Sequence, residues 1–63
     1  MEIDIERLRE DLINYYGTAI SYNPQAVIEL SIVENASYQQ LINIALSLNI
    51  DLSNYEINNS WHL

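Results

Sequence analysis

The sequence contains no cysteine, no lysine and no phenylalanine, and only one glycine and one proline. Without cysteine, disulfides and thiolate metal sites are excluded, and nothing marks the redox compartment. Without lysine, two arginines face nine acids, and the net charge is −7. Nucleic-acid affinity rests on cations that displace the counterions of the phosphates. Arg7 and Arg9, flanked by Glu6, Glu10 and Asp11, are too few for that work. Neither nucleic acid nor an anionic membrane is expected as a partner. A single glycine cannot build a phosphate-cradling loop, and no Cys/His spacing suits a metal. No apolar run approaches the ~20 residues that cross a bilayer, and the acidic amino terminus is the opposite of a secretory signal. A cytoplasmic protein is expected.

What is present is apolar. Hydrophobic residues make up 49% of the 63, which puts the chain in the globular range. A chain of this length is one domain, residues 1–63, and it hides only roughly 60% of its unfolded surface. Its stability margin is therefore thin without a staple or a partner.

Asp4 is a good first N-cap, with Ile3 placed to staple onto the next turn. Ile5, Leu8, Leu12, Tyr15 and Tyr16 then share one side at ~100° per residue, and Glu6, Arg7, Glu10, Asp11 and Asn14 share the other. Ala19 and Ile20 keep the same phase beyond Gly17. One helix running to about Ser21 explains this, with glycine on its wet face at a cost of ~1 kcal/mol. An end at Gly17, as a left-handed cap, is the alternative. On either reading Tyr15 and Tyr16 belong to the core or its edge, and "NYYGTAISYNP" is a helix boundary rather than a binding loop.

Asn23-Pro24 signals a second start, with asparagine as N-cap and proline at the first helical position. The segment that follows, "QAVIELSIVEN", reads two ways. At period two, Ile28, Leu30 and Ile32 alternate with polar residues as in a strand. As a helix, it has Ala26, Val27, Leu30 and Val33 on one face and Ile28 and Ile32 on the other. A solitary strand would leave its backbone groups unpaired, which favours the helix. A helix apolar on two sides needs cover on both. It is expected to be the most covered element, or to turn one flank toward another subunit.

Ser37 and Gln40 form an S-x-x-Q capping box. Tyr38, Leu41, Ile42, Ala45 and Leu48 make a face widened by Ile44 and Leu46. Asn49 suits the left-handed position that ends a helix, with Ile50 folding back. No residue between Asn35 and Ile50 is charged. Asp51 caps a short turn, "LSNY", and residues 56–63 read as a loosely ordered polar tail with one large anchor, Trp61.

Chemistry has few candidates. The one histidine, His62, lies beside the carboxyl terminus, where a general base is poorly held. Glu6 and Glu10 lie a turn apart beside Arg7 and Arg9, an arrangement that reads as a salt-bridged surface. No catalytic, cofactor-binding or metal-ligating residue is assigned, no small-molecule ligand is expected, and the chain is not expected to be an enzyme. Five tyrosines and a tryptophan, by contrast, suit interfaces, where large area with a polar edge is favoured.

From Ser37 the text "SYQQLINIALSLNIDLSNY" resembles the end of the helical leader domains in the nitrogen-fixation-associated leader family of ribosomal peptide precursors. Leu41, Ile44 and Ala45 match that family's helix; Asn49 stands where glycine is usual, and Ile50, Asp51, Leu52 and Ser53 match its closing step. The resemblance covers residues 37–55 and implies a helix, a small turn and a short last helix. A cleavage motif of small residues and a core rich in Cys, Ser or Thr would follow in that family, and the 63 residues contain neither. The whole is also similar to short helical bacterial proteins of no assigned activity. Neither resemblance carries a functional residue.

These readings predict an all-α fold, a three-helix bundle with helices near residues 4–21, 24–34 and 37–48 and a short fourth helical turn near 51–55. The expected role is a small acidic protein-interaction module, self-associating as a homo-oligomer through Tyr22, Val27, Ile28, Ile32, Tyr38, Ile44 and Trp61. An acidic regulator or inhibitor that captures a basic protein is the alternative. A leader-like domain, or a helix–turn–helix reader that the charge disfavours, comes after it.

Overall fold

Helices of this chain start, with one exception, where a local side chain can serve their free amide groups. The computed structural model describes residues 2–57. Helix α1 (Ile5–Ala19) is capped by Asp4, whose Oδ1 accepts from the Arg7 amide at 3.2 Å. Helix α3 (Tyr38–Ser47) carries the full capping box: the Ser37 hydroxyl accepts from the Gln40 amide, and the Gln40 side chain accepts from the Ser37 amide at 2.8 Å. Asp51 opens a 3-10 helix (Leu52–Tyr55), its Oδ1 accepting from the Ser53 amide and hydroxyl. The fold is all-α, three helices and a short closing turn. Residues 27–33 are helical, within α2 (Ala26–Asn35).

The ends also follow local rules. Gly17 lies inside α1 on its exposed side, with a negative φ and open space where a Cβ would sit. After α3, Asn49 adopts φ 61°, the Asn49 amide donates to the Leu46 carbonyl and the Ile50 amide to the Ala45 carbonyl. That pair of bonds is a Schellman ending, with asparagine in the left-handed position.

Three expectations need correction. Asn23 does not cap α2 with its side chain; the helix has no side-chain cap at all. Instead the amides of Ala26, Val27 and Ile28 donate to the carbonyls of Asn23, Pro24 and Gln25, a tight 3-10 entry that uses the main chain. Tyr15 is not a core residue: it is 57% exposed, while Tyr16 beside it is half-buried with the rings edge to face at 5.0 Å. The start of the predicted tail is tied down, since Glu56 pairs with Ile3 in an isolated antiparallel bridge and the Ile57 amide donates to the Glu2 carbonyl at 2.7 Å. Trp61 and His62 lie outside the described residues.

The largest correction concerns the centre. Helix α1, not α2, is the element on which α2, α3 and the 3-10 helix all pack. The core joins Leu8 and Leu12 of α1 to Leu41 and Ala45 of α3, with Ile3, Val33 and Ala36 around them. Of the α2 side chains only Val33 belongs to this cluster. One side of α2 faces inward, with Ala26 and Val33 buried and Leu30 half-buried. The rest of it is exposed.

Arg9 braces that junction. Its Nη1 donates to the carbonyls of Val33 and Ala36 at 3.0 Å each and of Glu34 at 3.4 Å. These groups close the C-terminal end of α2, where carbonyls lack helical partners and a cation is favoured by the aligned peptide dipoles. The arginines are thus engaged elsewhere than with Glu6 and Glu10, against the expected salt-bridged surface. Arg9 is a brace between helices, and Arg7 lies 5.5 Å from the centre of the Tyr55 ring.

An Arg9→Met variant, which keeps the stem and loses the charge, should lose about 2 kcal/mol of stability. Gly17→Ala should gain about 1 kcal/mol, because the position is helical and sterically open. Urea unfolding followed by circular dichroism reads both changes.

Candidate interaction surface

A helix that packs along one narrow stripe leaves most of its circumference free, and in α2 that circumference carries Val27, Ile28 and Ile32 alongside Glu29, Ser31, Glu34 and Asn35. Ile28 and Ile32, one turn apart, point away from α1 and are 59% and 50% exposed; Val27 on the flank is also exposed. Between them lie Ser31 and Asn35, whose side-chain amide donates to the Ser31 carbonyl at 2.9 Å. The outer strip of α2 is therefore aliphatic and neutral, with Glu29 and Glu34 at its edges. Tyr22, in the turn before α2, is 78% exposed.

Helix α3 presents a second strip. Tyr38 and Leu46 are exposed, and Ile42, half-buried, sits between them at four-residue spacing. Ile44, like Ile42, is half-buried and packed on the core cluster. Of the seven residues named from the sequence, Tyr22, Val27, Ile28, Ile32 and Tyr38 are exposed, Ile44 is at the core edge, and Trp61 is outside the described residues. Leu46, Tyr15 and Ile57 are exposed apolar residues besides those seven. Periodicity placed Leu46 on the widened apolar face, and nothing local signals that the face is wider than the core it meets.

The tyrosines differ in environment. Partial burial, with Glu29 and Tyr15 nearby, pushes the Tyr16 hydroxyl above the usual tyrosine range. The Tyr55 hydroxyl is pushed up chiefly because it donates to Asp11 Oδ2, at 2.6 Å, with burial and the Asp11 charge adding and Arg7 opposing. At the other extreme, the hydrogen bonds from Ser53 hold the Asp51 carboxyl below the ordinary range. Among the described residues no three acidic or histidine side chains gather as a metal site requires, and no helix is long and apolar enough to cross a membrane.

Comparison with known protein families, characterised proteins and solved structures finds no match to this chain.

The raised Tyr55 value has a definite sign. A hydroxyl easier to keep protonated in the fold contributes stability that is complete below about pH 10, the unfolded value, and is lost as pH rises through the folded value. Wild-type protein should therefore shed more stability than Tyr55→Phe across that alkaline window. Its ultraviolet titration should contain two late tyrosine components, of which the variant keeps only that of Tyr16.

Proposed function

We propose that this chain is a small helical interaction module that self-associates through the outer strip of α2. The observation behind the reading is the exposure of Val27, Ile28 and Ile32 on a helix that gives a single side chain to the core. Scattered surface aliphatics need no explanation, but three within one helical turn and a half form a patch. The strip's neutrality supports a like partner: two copies can meet there with their acids held at the rim.

The strength of such an association can be bounded. Covering a half-exposed aliphatic is worth about 1 kcal/mol, so a symmetric pair of three-residue strips gains about 6 kcal/mol. Loss of rigid-body freedom costs about 4 kcal/mol or more. The patch alone supports a weak, concentration-dependent pairing, and Tyr22 at its end is the residue placed to add area. Each copy carries −7, so mutual repulsion opposes assembly and screening relieves it.

Sedimentation equilibrium should show mass rising with concentration in the millimolar range and rising further with salt. Ile28→Glu and Ile32→Glu, both on the outer face, should return the protein to a monomer of unchanged helicity. A wild-type mass that stays monomeric at every concentration and salt level would reject the reading. The alternative, an acidic regulator that binds a basic protein, draws support from the same net charge, and its association would weaken with salt instead.

A further inference from the structure

Between α1, the left-handed turn that ends α3 and the 3-10 helix runs a groove of about 250 Å³. It is lined by Asp11, Leu12, Tyr15, Leu48, Ile50 and Tyr55, and no residue of α2 takes part. Local structure sets each wall. Asp11 and Tyr15 stand one turn apart on α1. The Schellman ending at Asn49 brings Ile50 back beside Leu48, and Asp51 starts the short helix that presents Tyr55. The Tyr55 hydroxyl donates to Asp11 Oδ2 at 2.6 Å, joining the two sides.

We propose that this groove receives an arginine side chain from a basic segment of another protein, the stem lying on Leu48 and Ile50 and the guanidinium meeting Asp11 beside the rings of Tyr15 and Tyr55. The lining is one carboxylate, two phenol rings and aliphatic walls. That combination suits a long side chain with an apolar stem and a cationic head. The molecule already shows the ring accepting such a head, since Arg7 lies over Tyr55 at 5.5 Å. A planar guanidinium stacks on aromatic faces and is more weakly hydrated than an ammonium, so arginine fits better than lysine.

Size and charge select the source. Pockets that enclose free small molecules measure roughly 300–1,000 Å³ and cover most of the ligand. This groove is smaller and open along one side, which suits a single side chain held from outside. A second copy is a poor donor, because Arg9 is committed to the end of α2 and Arg7 to Tyr55. A basic partner is also drawn by the net −7. The proposal goes beyond self-association and does not depend on it, because the groove lies clear of the α2 strip.

The test is a nuclear magnetic resonance titration of the full chain with blocked glycine pentapeptides carrying one central arginine, lysine or citrulline. The arginine peptide should give saturable shifts at Asp11, Tyr15, Leu48, Ile50 and Tyr55, the lysine peptide weaker ones, and neutral citrulline none. Asp11→Asn keeps an acceptor for the Tyr55 hydroxyl and should weaken binding by about two- to fivefold. Glu10→Gln, which removes the same charge outside the groove, should change it less. Tyr15→Leu alters an exposed ring and should also weaken binding, which keeps the test decisive if Asp11→Asn fails to fold. Equal shifts with citrulline, equal losses in the Asp11 and Glu10 variants, no saturable binding at millimolar peptide, or shifts spread over Glu6, Glu29 and Glu34 would each overturn the proposal. Concentration dependence of the free protein's mass is read separately, so failure here leaves the α2 reading intact.

Discussion

A single helix must serve as the surface on which everything else in this chain packs. Helix α1 meets α2 on one side, α3 and the 3-10 helix on another, and the strand-like ends near Ile3 and Glu56 at its base. With so few residues, the other elements have little left with which to cover one another. The link to α2 shows the consequence most clearly. Val33 is its contribution to the core, and a guanidinium from α1 has to close its last carbonyls. A hydrogen bond to a charged donor is worth more than a neutral one, and here it fastens the end of α2 to α1.

That constraint decides what the surface looks like. Helix α2 is apolar on two sides, yet only one of them finds cover. In a larger domain another layer would lie over Ile28 and Ile32; among the described residues none does. Charge divides the rest of the exterior. Glu29 and Glu34 flank the neutral strip of α2, and one acid, Asp11, sits in an apolar groove beside two tyrosines. The two faces therefore favour different company, the strip a like surface and the groove a cation. Salt should act on them in opposite directions.

Much of the fold could be read from the chain because its signals are local. Asp4, the Ser37–Gln40 pair, the Asn49–Ile50 ending and Asp51 each act within a turn or so of their own position. The continuation through Gly17 was legible for the same reason, since helical phase persists across it. What escaped was long-range. Arg9 reaches carbonyls 24 and 27 positions away, and no spacing rule announces that partner. The Ile3–Glu56 bridge joins the two ends of the described chain and is equally silent. The status of α2 was misjudged because periodicity shows which residues want cover, not whether the chain has anything to provide it. Val27, Ile28 and Ile32 were picked out correctly as apolar, and their exposure could be known only once α1 was seen to hold the centre. The groove needs three separate elements and a left-handed asparagine, so no window of sequence contains it.

The central claim is that the outward strip of α2 is covered by the same strip of a second copy. Isotope-filtered nuclear Overhauser spectra on a mixed sample, half methyl-labelled and half unlabelled, examine that contact directly. The account predicts intermolecular signals linking the methyl groups of Ile28 and Ile32 to those of Val27, Ile28 and Ile32 on the other copy. Intermolecular signals confined to α3, or absent altogether while the α2 methyls stay fully accessible to a soluble paramagnetic probe at high protein concentration, would contradict it.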